Sequence, residues 1–132
     1  MPGAAAMDDL RNPATFERLV AEALDEIPPE FGRYLENVAV VIEDEPPRGL
    51  LQRLGLDPQR DQLLGLYEGV PLSRRPHDFA GSPPDRIRIF RRPLLRRCRA
   101  PADLQREVQR TVVHEIAHFF GLDERRIRRL GY

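Results

Sequence analysis

The segment from Asp103 to Gly121 constrains what this chain can fold into more than any other part of the sequence. Its apolar residues recur at the spacing of an α-helix and fill an arc of about 180° around the helix axis. An apolar face of that width is typical of a central, largely buried helix. Gly121 follows the final apolar pair, at the position where a glycine commonly ends a helix. The sequence therefore predicts a long, partly buried helix that ends at Gly121.

The last turns of this helix contain the motif HEIAH, with His114 and His118 four residues apart. At this spacing the two imidazoles lie about 40° apart around the axis and one turn along it. Neutral imidazoles in this arrangement bind zinc, and the intervening Glu115 can act as general base toward a water on the metal. In a chain of this composition the pattern H-E-x-x-H would arise by chance about 0.5% of the time. We therefore interpret the motif as a metal site rather than as two structural histidines, and Glu107 as a candidate to orient a ligand histidine.

A catalytic zinc site needs a third protein ligand and an open fourth position. Gly121 would let the chain turn back toward the metal within three residues, which favours Glu124 as the third ligand. Asp123 is the runner-up, because Asp is also a preferred N-cap residue and would begin the next helix, residues 123–130. A residue upstream of the motif, or solvent, is a further alternative.

The sequence HEIAHFFGLDE, preceded by LLGLYEG and a proline-rich loop, resembles the small bacterial zincin-like metallopeptidases over about residues 10–132. The resemblance implies an α+β fold of the minimal zincin type, in which a small twisted mixed β-sheet packs against the HExxH helix, with N-terminal and C-terminal helices. It also implies zinc at the two motif histidines and an acidic third ligand after the glycine. The spacing is similar to that of metzincins, but Glu124 stands in place of their third histidine. Both methionines, Met1 and Met7, precede the motif, so a Met-turn is absent.

Weaker patterns predict the other elements of the fold. An amphipathic helix is expected from Pro13 to about Ile27, and strands are expected at residues 37–43 and 63–69. Residues 70–85 contain four prolines and predict a long surface loop, in which His77 could line a cleft. Residues 86–92 alternate apolar and charged side chains, which predicts a strand with its arginines at a sheet edge or on a solvent face.

The length of 132 residues fits one domain. We predict a flexible leader at residues 1–10 and a single zincin-like domain at residues 11–132. No apolar run approaches the roughly 20 residues needed to span a bilayer, and the N-terminus lacks the basic region of a signal peptide. The single cysteine, Cys98, precludes an internal disulfide and indicates a reducing, cytoplasmic compartment. Its arginine neighbours could lower the pKa of the thiol, although no catalytic partner is implied.

Charge is distributed unevenly although the formal net charge is zero. Residues 1–83 contain 8 Arg and 15 acidic residues, whereas residues 84–132 contain 13 Arg and 6 acidic residues. Base composition or thermal adaptation would explain a chain in which every basic residue is arginine. The arginines could also hold a phosphate backbone, but aromatic stacking residues are not interleaved with them, so a nucleic-acid partner is not expected.

These observations predict a zinc-dependent metallopeptidase that acts on a peptide or protein substrate, with Zn²⁺ held by His114, His118 and Glu124 and with Glu115 as the catalytic base. Tyr67 and Tyr132 are candidates to donate to a transition-state oxyanion, although a core or surface role is the simpler interpretation. The alternative function is a zincin-shaped binding or adaptor protein with a structural metal or vestigial activity. Neither interpretation involves a membrane partner, and the sequence leaves the oligomeric state open.

Overall fold

The computed structural model describes residues 6–69 and 85–132. Within these residues six α-helices and three strands follow one another along the chain. In order, they are α1 (Pro13–Asp25), α2 (Pro29–Gly32), β1 (Val38–Glu43), α3 (Arg48–Arg53), β2 (Gly65–Glu68), β3 (Asp85–Phe90), α4 (Arg91–Arg97), α5 (Pro101–Phe120) and α6 (Glu124–Arg129). The predicted α+β class with a small mixed sheet beside the motif helix is confirmed.

The helix α1 begins where the sequence predicts. The Asn12 side chain accepts a hydrogen bond from the Ala14 amide at 2.9 Å, and Pro13 occupies the first helical position, where its missing N–H costs nothing. Phe16, Val20 and Ala23 are buried on one face, which packs against α5. This face joins the apolar side of α5 into one hydrophobic core.

The sheet has the order β1-β3-β2, with β1 parallel and β2 antiparallel to β3. The prediction of a strand at residues 86–92 with its arginines at a sheet edge or on a solvent face is therefore wrong in two respects, because β3 is the central strand and Arg88 is buried. Arg88 is only 6% exposed. Its guanidinium is held by Glu43 of β1 at 2.8 Å and lies 3.6 Å from Glu68 of β2. Since both neighbouring strands supply a carboxylate, an arginine can alternate with isoleucines in the middle of this sheet.

The helix α4 follows β3 directly and includes the last two residues of the predicted strand 86–92. Pro93 obscures the helical pattern, but it lies in the first turn, where proline is tolerated because no intrahelical N–H bond is lost. Leu94 is fully buried and fixes α4 to the core, while Arg92, Arg96 and Arg97 are exposed.

The N-terminal residues of the structure also contribute to the core. Met7–Arg11 form a 3₁₀ turn in which Leu10 is completely buried. Leu10 was part of the predicted leader, so that segment supplies at least one core side chain. The proposed division at residue 11 stays a prediction. Most of the predicted loop, with His77, lies outside the described residues, and Asp85 is the first residue of β3.

No helix in the described parts of the chain combines the length and apolar character needed to cross a membrane.

Candidate metal centre and catalytic base

The helix α5 positions the HEIAH motif, and its apolar face is buried as predicted. The fully or almost fully buried side chains on that face are Leu104, Val108, Val112, Val113, Ile116 and Ala117. Gly121 ends the helix in the left-handed conformation, at φ 67°, which only glycine adopts without strain. The backbone reverses here, and the Leu122 amide donates to the Ala117 carbonyl at 2.9 Å.

The strand β2 approaches α5 closely because residue 65 is glycine. A Cβ atom at Gly65 would lie 2.8 Å from Thr111 Cγ2 and 3.0 Å from the Arg88 carbonyl oxygen. A strand glycine of this kind marks a close approach of another element. It brings the edge of β2 within hydrogen-bonding distance of the motif helix.

Glu115 is the motif residue that forms a hydrogen bond with β2. The backbone N–H of Tyr67 donates to Glu115 Oε1 at 3.0 Å, across 48 residues of sequence. Burial raises the pKa of the Glu115 carboxyl above its ordinary value, and this outweighs the opposing effects of the Tyr67 hydrogen bond and the two nearby histidines. The carboxyl is therefore fixed in place and more basic than a carboxylate in water.

His118 and Glu124 meet on the other side of the motif. His118 Nε2 lies 2.9 Å from Glu124 Oε1, and the His118 side chain is 68% exposed. Glu124 is the first residue of α6 and also lies 3.7 Å from Arg128. The turn at Gly121 thus brings the predicted third ligand back to the second histidine.

Asp123 caps the start of a helix, which is the role that the sequence analysis gave as the alternative to zinc binding. It is the N-cap of α6, and its Oδ1 accepts a hydrogen bond from the Arg125 amide at 2.9 Å. A carboxylate in this position satisfies one of the free amides at the start of the helix. The choice between Glu124 and Asp123 as zinc ligand stays a prediction, but of the two only Glu124 contacts a motif histidine in the described part of the chain.

His114 is half-buried and lines a cleft of about 470 Å³ beside α5. The cleft also contains Leu64, Thr111, Tyr132 and the side chains of four arginines, Arg97, Arg106, Arg110 and Arg128. Within residues 6–69 and 85–132 no three His, Cys, Asp or Glu side chains are grouped closely enough to hold an ion. The structure thus joins two of the three predicted ligands and leaves His114 apart from them.

The donor set nevertheless fits zinc. Two imidazoles and one carboxylate are a common ligand set for catalytic zinc. The His118–Glu124 separation of 2.9 Å is close to the distance of about 3.3 Å between two ligands of one tetrahedral zinc ion. His114 lies one helical turn before His118 on the same helix, which is the spacing that a shared ion requires.

The remaining candidates have other partners. Glu107 forms ion pairs with Arg97 at 3.1 Å and Arg110 at 3.9 Å. The Tyr67 hydroxyl bonds to Asp85 at 2.8 Å, and the Tyr132 ring packs edge-on against Phe31. The predicted lowering of the Cys98 pKa is wrong. Burial and the carboxylates of Glu107 and Asp103 raise the pKa of the thiol, and the positive charge of Arg97 does not offset them.

Sequence reasoning did not find the Tyr67 amide or the aromatic cluster beside it. The rings of Tyr34, Tyr67, Phe119 and Phe120 pack together at the end of α5, and Phe119 lies 4.2 Å from Tyr67 between ring centroids. Phe119 and Phe120 remain 48% and 41% exposed. The sequence signal for the close approach of β2 to α5 was Gly65 within LLGLYEG, because a glycine inside a strand indicates close packing by another element.

Fold and motif together define a class of protein: an α+β domain built around an HExxH helix. The chain belongs to the zincin-like metallopeptidase family, whose model matches residues 35–132. A comparison with curated proteins gives no match. Among solved structures, the chain is similar to a conserved hypothetical protein from Thermo thermophilus, with 26% identity and a TM-score of 0.52. That similarity covers 83% of this chain and 94% of the other.

Proposed function

We propose that this protein is a zinc-dependent metallopeptidase that hydrolyses peptide bonds with Glu115 as general base. The observation that carries the proposal is the arrangement at the end of α5. Glu115 is held on one side by the β2 backbone, while one turn later His118 contacts Glu124. Membership of the zincin-like metallopeptidase family supports the same reaction class.

In this proposal His114, His118 and Glu124 hold the metal. When bound, zinc supplies Lewis acidity, which lowers the pKa of a water and polarises a substrate carbonyl. The exposure of His118 leaves this end of the helix accessible to a ligand from solvent. The single cysteine supports a cytoplasmic location for the activity.

In this proposal Glu115 accepts a proton from the attacking water and later donates it to the leaving amine. Its Oε1 accepts the Tyr67 N–H, which leaves Oε2 to take a proton from the attacking water. The raised pKa of the buried carboxyl favours holding that proton until it passes to the leaving amine. The backbone of β2 fixes the carboxyl in position throughout the transfer.

The edge of β2 offers a place for an extended substrate. In the antiparallel pair, Phe90 donates to the Leu64 carbonyl, so the alternate residues Gly65 and Tyr67 direct their backbone groups away from β3. The Tyr67 N–H is already used by Glu115, whereas Gly65 lies two residues earlier on the same edge. A peptide that pairs with this edge at Gly65 would pass directly beside Glu115.

The proposal is tested by comparing wild type with Glu115→Gln in a peptidase assay on a mixed peptide library, after loading with zinc. We expect the variant to keep its zinc content and to lose about 10²- to 10⁴-fold in kcat/KM, the usual contribution of a general base. Glu17→Gln is the matched control, since Glu17 is exposed on α1, and it should behave as wild type. Full activity in Glu115→Gln would remove Glu115 from the mechanism.

A second candidate is a zincin-shaped binding protein in which the metal is structural or the activity vestigial. It is favoured by one observation: the described residues contain no preformed group of three ligands. Stoichiometric zinc binding by the wild type without cleavage of any library peptide would select this candidate over the peptidase.

A further inference from the structure

A second cleft, of about 720 Å³, lies between the N-terminal turn and α4, away from the motif histidines. Five of the nine described residues that line it are arginines: Arg11, Arg91, Arg92, Arg96 and Arg99. Arginine makes up 21 of the 132 residues of the chain, so a random set of nine would contain one or two. Arginine is therefore enriched in the lining of this cleft, as it also is in the cleft beside His114.

Two of these arginines are neutralised by the protein itself. Arg91 is buried, and its Nη2 lies 2.7 Å from Asp44 Oδ1. Its Nη1 donates to the Arg11 carbonyl oxygen. Arg96 binds both oxygens of Glu45, at 2.6 and 3.3 Å. Arg91 and Arg96 therefore bring no unpaired positive charge to the cleft.

The other three arginines are not neutralised in this way. Arg92 and Arg99 are exposed, and neither makes an ion pair with a described residue. Arg92 lies near enough to Glu45 to lower its pKa, but that carboxylate is already bonded to Arg96. Arg11 has only a loose contact with Asp8, at 3.8 Å and with both side chains more than 80% exposed. Within the described parts of the chain, the cleft therefore holds positive charge that an anion could neutralise.

Of the four other lining residues, one is Asp8, the loose partner of Arg11, and three are apolar. Met7, Leu95 and Cys98 contribute side chains that are partly buried against the core. No aromatic ring of the described residues lines the cleft, so a single-stranded nucleic acid would find no surface there on which to stack its bases. A concave site with guanidinium groups and aliphatic side chains suits a small ligand with one charged end and one apolar end.

We propose that this cleft binds a small amphipathic anion, whose phosphate or carboxylate group is held by Arg92, Arg99 and Arg11 and whose apolar part lies against Leu95 and Met7. The site is separate from the proposed catalytic residues and does not depend on the peptidase function.

The first test is calorimetric titration of the full chain with hexyl phosphate, hexanoate and inorganic phosphate at constant ionic strength. We expect hexyl phosphate or hexanoate to bind more tightly than inorganic phosphate, and the order of the first two identifies the head group. The double variant Arg92→Gln/Arg99→Gln should weaken binding about tenfold or more, since it removes two charge-assisted donors. Neither side chain has an ion-pair partner among residues 6–69 and 85–132, so this variant should fold, which thermal unfolding will verify.

The matched control is Arg48→Gln/Arg53→Gln, which removes the same charge from exposed positions on α3. It should bind as wild type. Equal weakening in both double variants would show non-specific charge attraction and overturn the proposal. Unchanged binding in Arg92→Gln/Arg99→Gln would also overturn it, as would binding of a single-stranded oligonucleotide without binding of either hexyl compound.

A second readout locates the ligand. Cys98 is the single cysteine of the chain and lines the cleft, so its alkylation reports occupancy of this site alone. Saturating hexyl phosphate or hexanoate should slow the alkylation of Cys98 in wild type and not in Arg92→Gln/Arg99→Gln. Binding seen by calorimetry with no change in the alkylation rate of wild type would place the ligand elsewhere and contradict the proposal.

Discussion

The two sides of the HEIAH motif are built differently. On one side, Glu115 is half-buried and held by a strand amide that the tight contact at Gly65 fixes in place. On the other, His118 is mostly exposed, and its contact with Glu124 depends on a short turn after Gly121. The proposed base is thus positioned by the sheet, whereas the proposed metal-binding side depends on a turn and the first residue of a short helix.

Because the two sides are built differently, we expect substitutions on each side to change different properties of the protein. Changes on the turn side should alter zinc affinity and leave the fold of the metal-free protein intact. Changes on the strand side should alter stability and turnover and leave zinc affinity intact. A variant that moved both properties together would show that the two sides act as one unit.

The largest effect is expected for Glu124→Ala. If Glu124 is the direct ligand proposed above, its removal should weaken zinc binding by at least about 100-fold, since even outer-shell changes commonly cost 10- to 100-fold. The unfolding free energy of the metal-free protein should change little, because Glu124 is only partly buried and contacts the exposed side chains of His118 and Arg128. Zinc affinity by competition with a chromophoric chelator, together with denaturant unfolding of the metal-free protein, measures both. Wild-type zinc affinity in this variant would exclude Glu124 as a ligand.

The turn side of the motif could be predicted from the sequence, whereas the contact on the strand side could not. The helix α5, its end at Gly121 and the capping role of Asp123 depend on residues within a few positions of each other, so local patterns predict them. The contact between Tyr67 and Glu115 joins residues 48 positions apart, and no local pattern encodes it.

The central position of β3 was missed for the same reason. Arg88 is stabilised by Glu43 and Glu68, which belong to two other strands. An alternation of arginine and isoleucine looks like a solvent-facing strand when those distant carboxylates are not considered. The candidate residues of the site could be named from the motif, but the support for the proposed base required the sheet topology.

The second-largest effect is expected on the strand side, for Gly65→Ala. Gly65→Ala would place a Cβ against Thr111 Cγ2 and the Arg88 carbonyl, and should lower the unfolding free energy by about 1–3 kcal/mol. Turnover should also fall, because β2 and the Tyr67 amide must shift relative to Glu115, while zinc affinity stays near that of wild type. Thermal unfolding, peptidase assay and zinc titration of the same preparation distinguish these effects.

Two further variants serve as controls for Gly65→Ala. Gly49→Ala lies in α3 with open space around its Cβ, and should be neutral or slightly stabilising. Adding Thr111→Ser to Gly65→Ala removes the Thr111 methyl group, the nearer of the two clashing groups, and should recover part of the lost stability. If the double variant is no more stable than Gly65→Ala, the contact with Thr111 is not what limits this position.

A smaller effect is expected for Asp123→Ala on the turn side. Loss of the N-cap should cost about 0.5–2 kcal/mol of stability, with little change in zinc affinity. Asp123→Asn keeps a capping oxygen and should retain most of that stability. Should Asp123→Ala lose zinc while Glu124→Ala keeps it, the two acidic residues have exchanged their assigned roles.

The smallest effect is expected for Tyr67→Phe, which separates the backbone of Tyr67 from its side chain. The variant loses the hydrogen bond from the hydroxyl to Asp85 and should be less stable by about 0.5–1.5 kcal/mol. The ring, which packs on Phe119, and the amide that donates to Glu115 are both retained. Because the phenol is directed to Asp85 and the amide to the proposed base, kcat should stay within about twofold of wild type. Peptidase kinetics at a temperature well below the unfolding midpoint measure this. A loss of kcat of tenfold or more, with zinc content unchanged, would assign to the hydroxyl a role in turnover that the proposed mechanism assigns to the backbone amide.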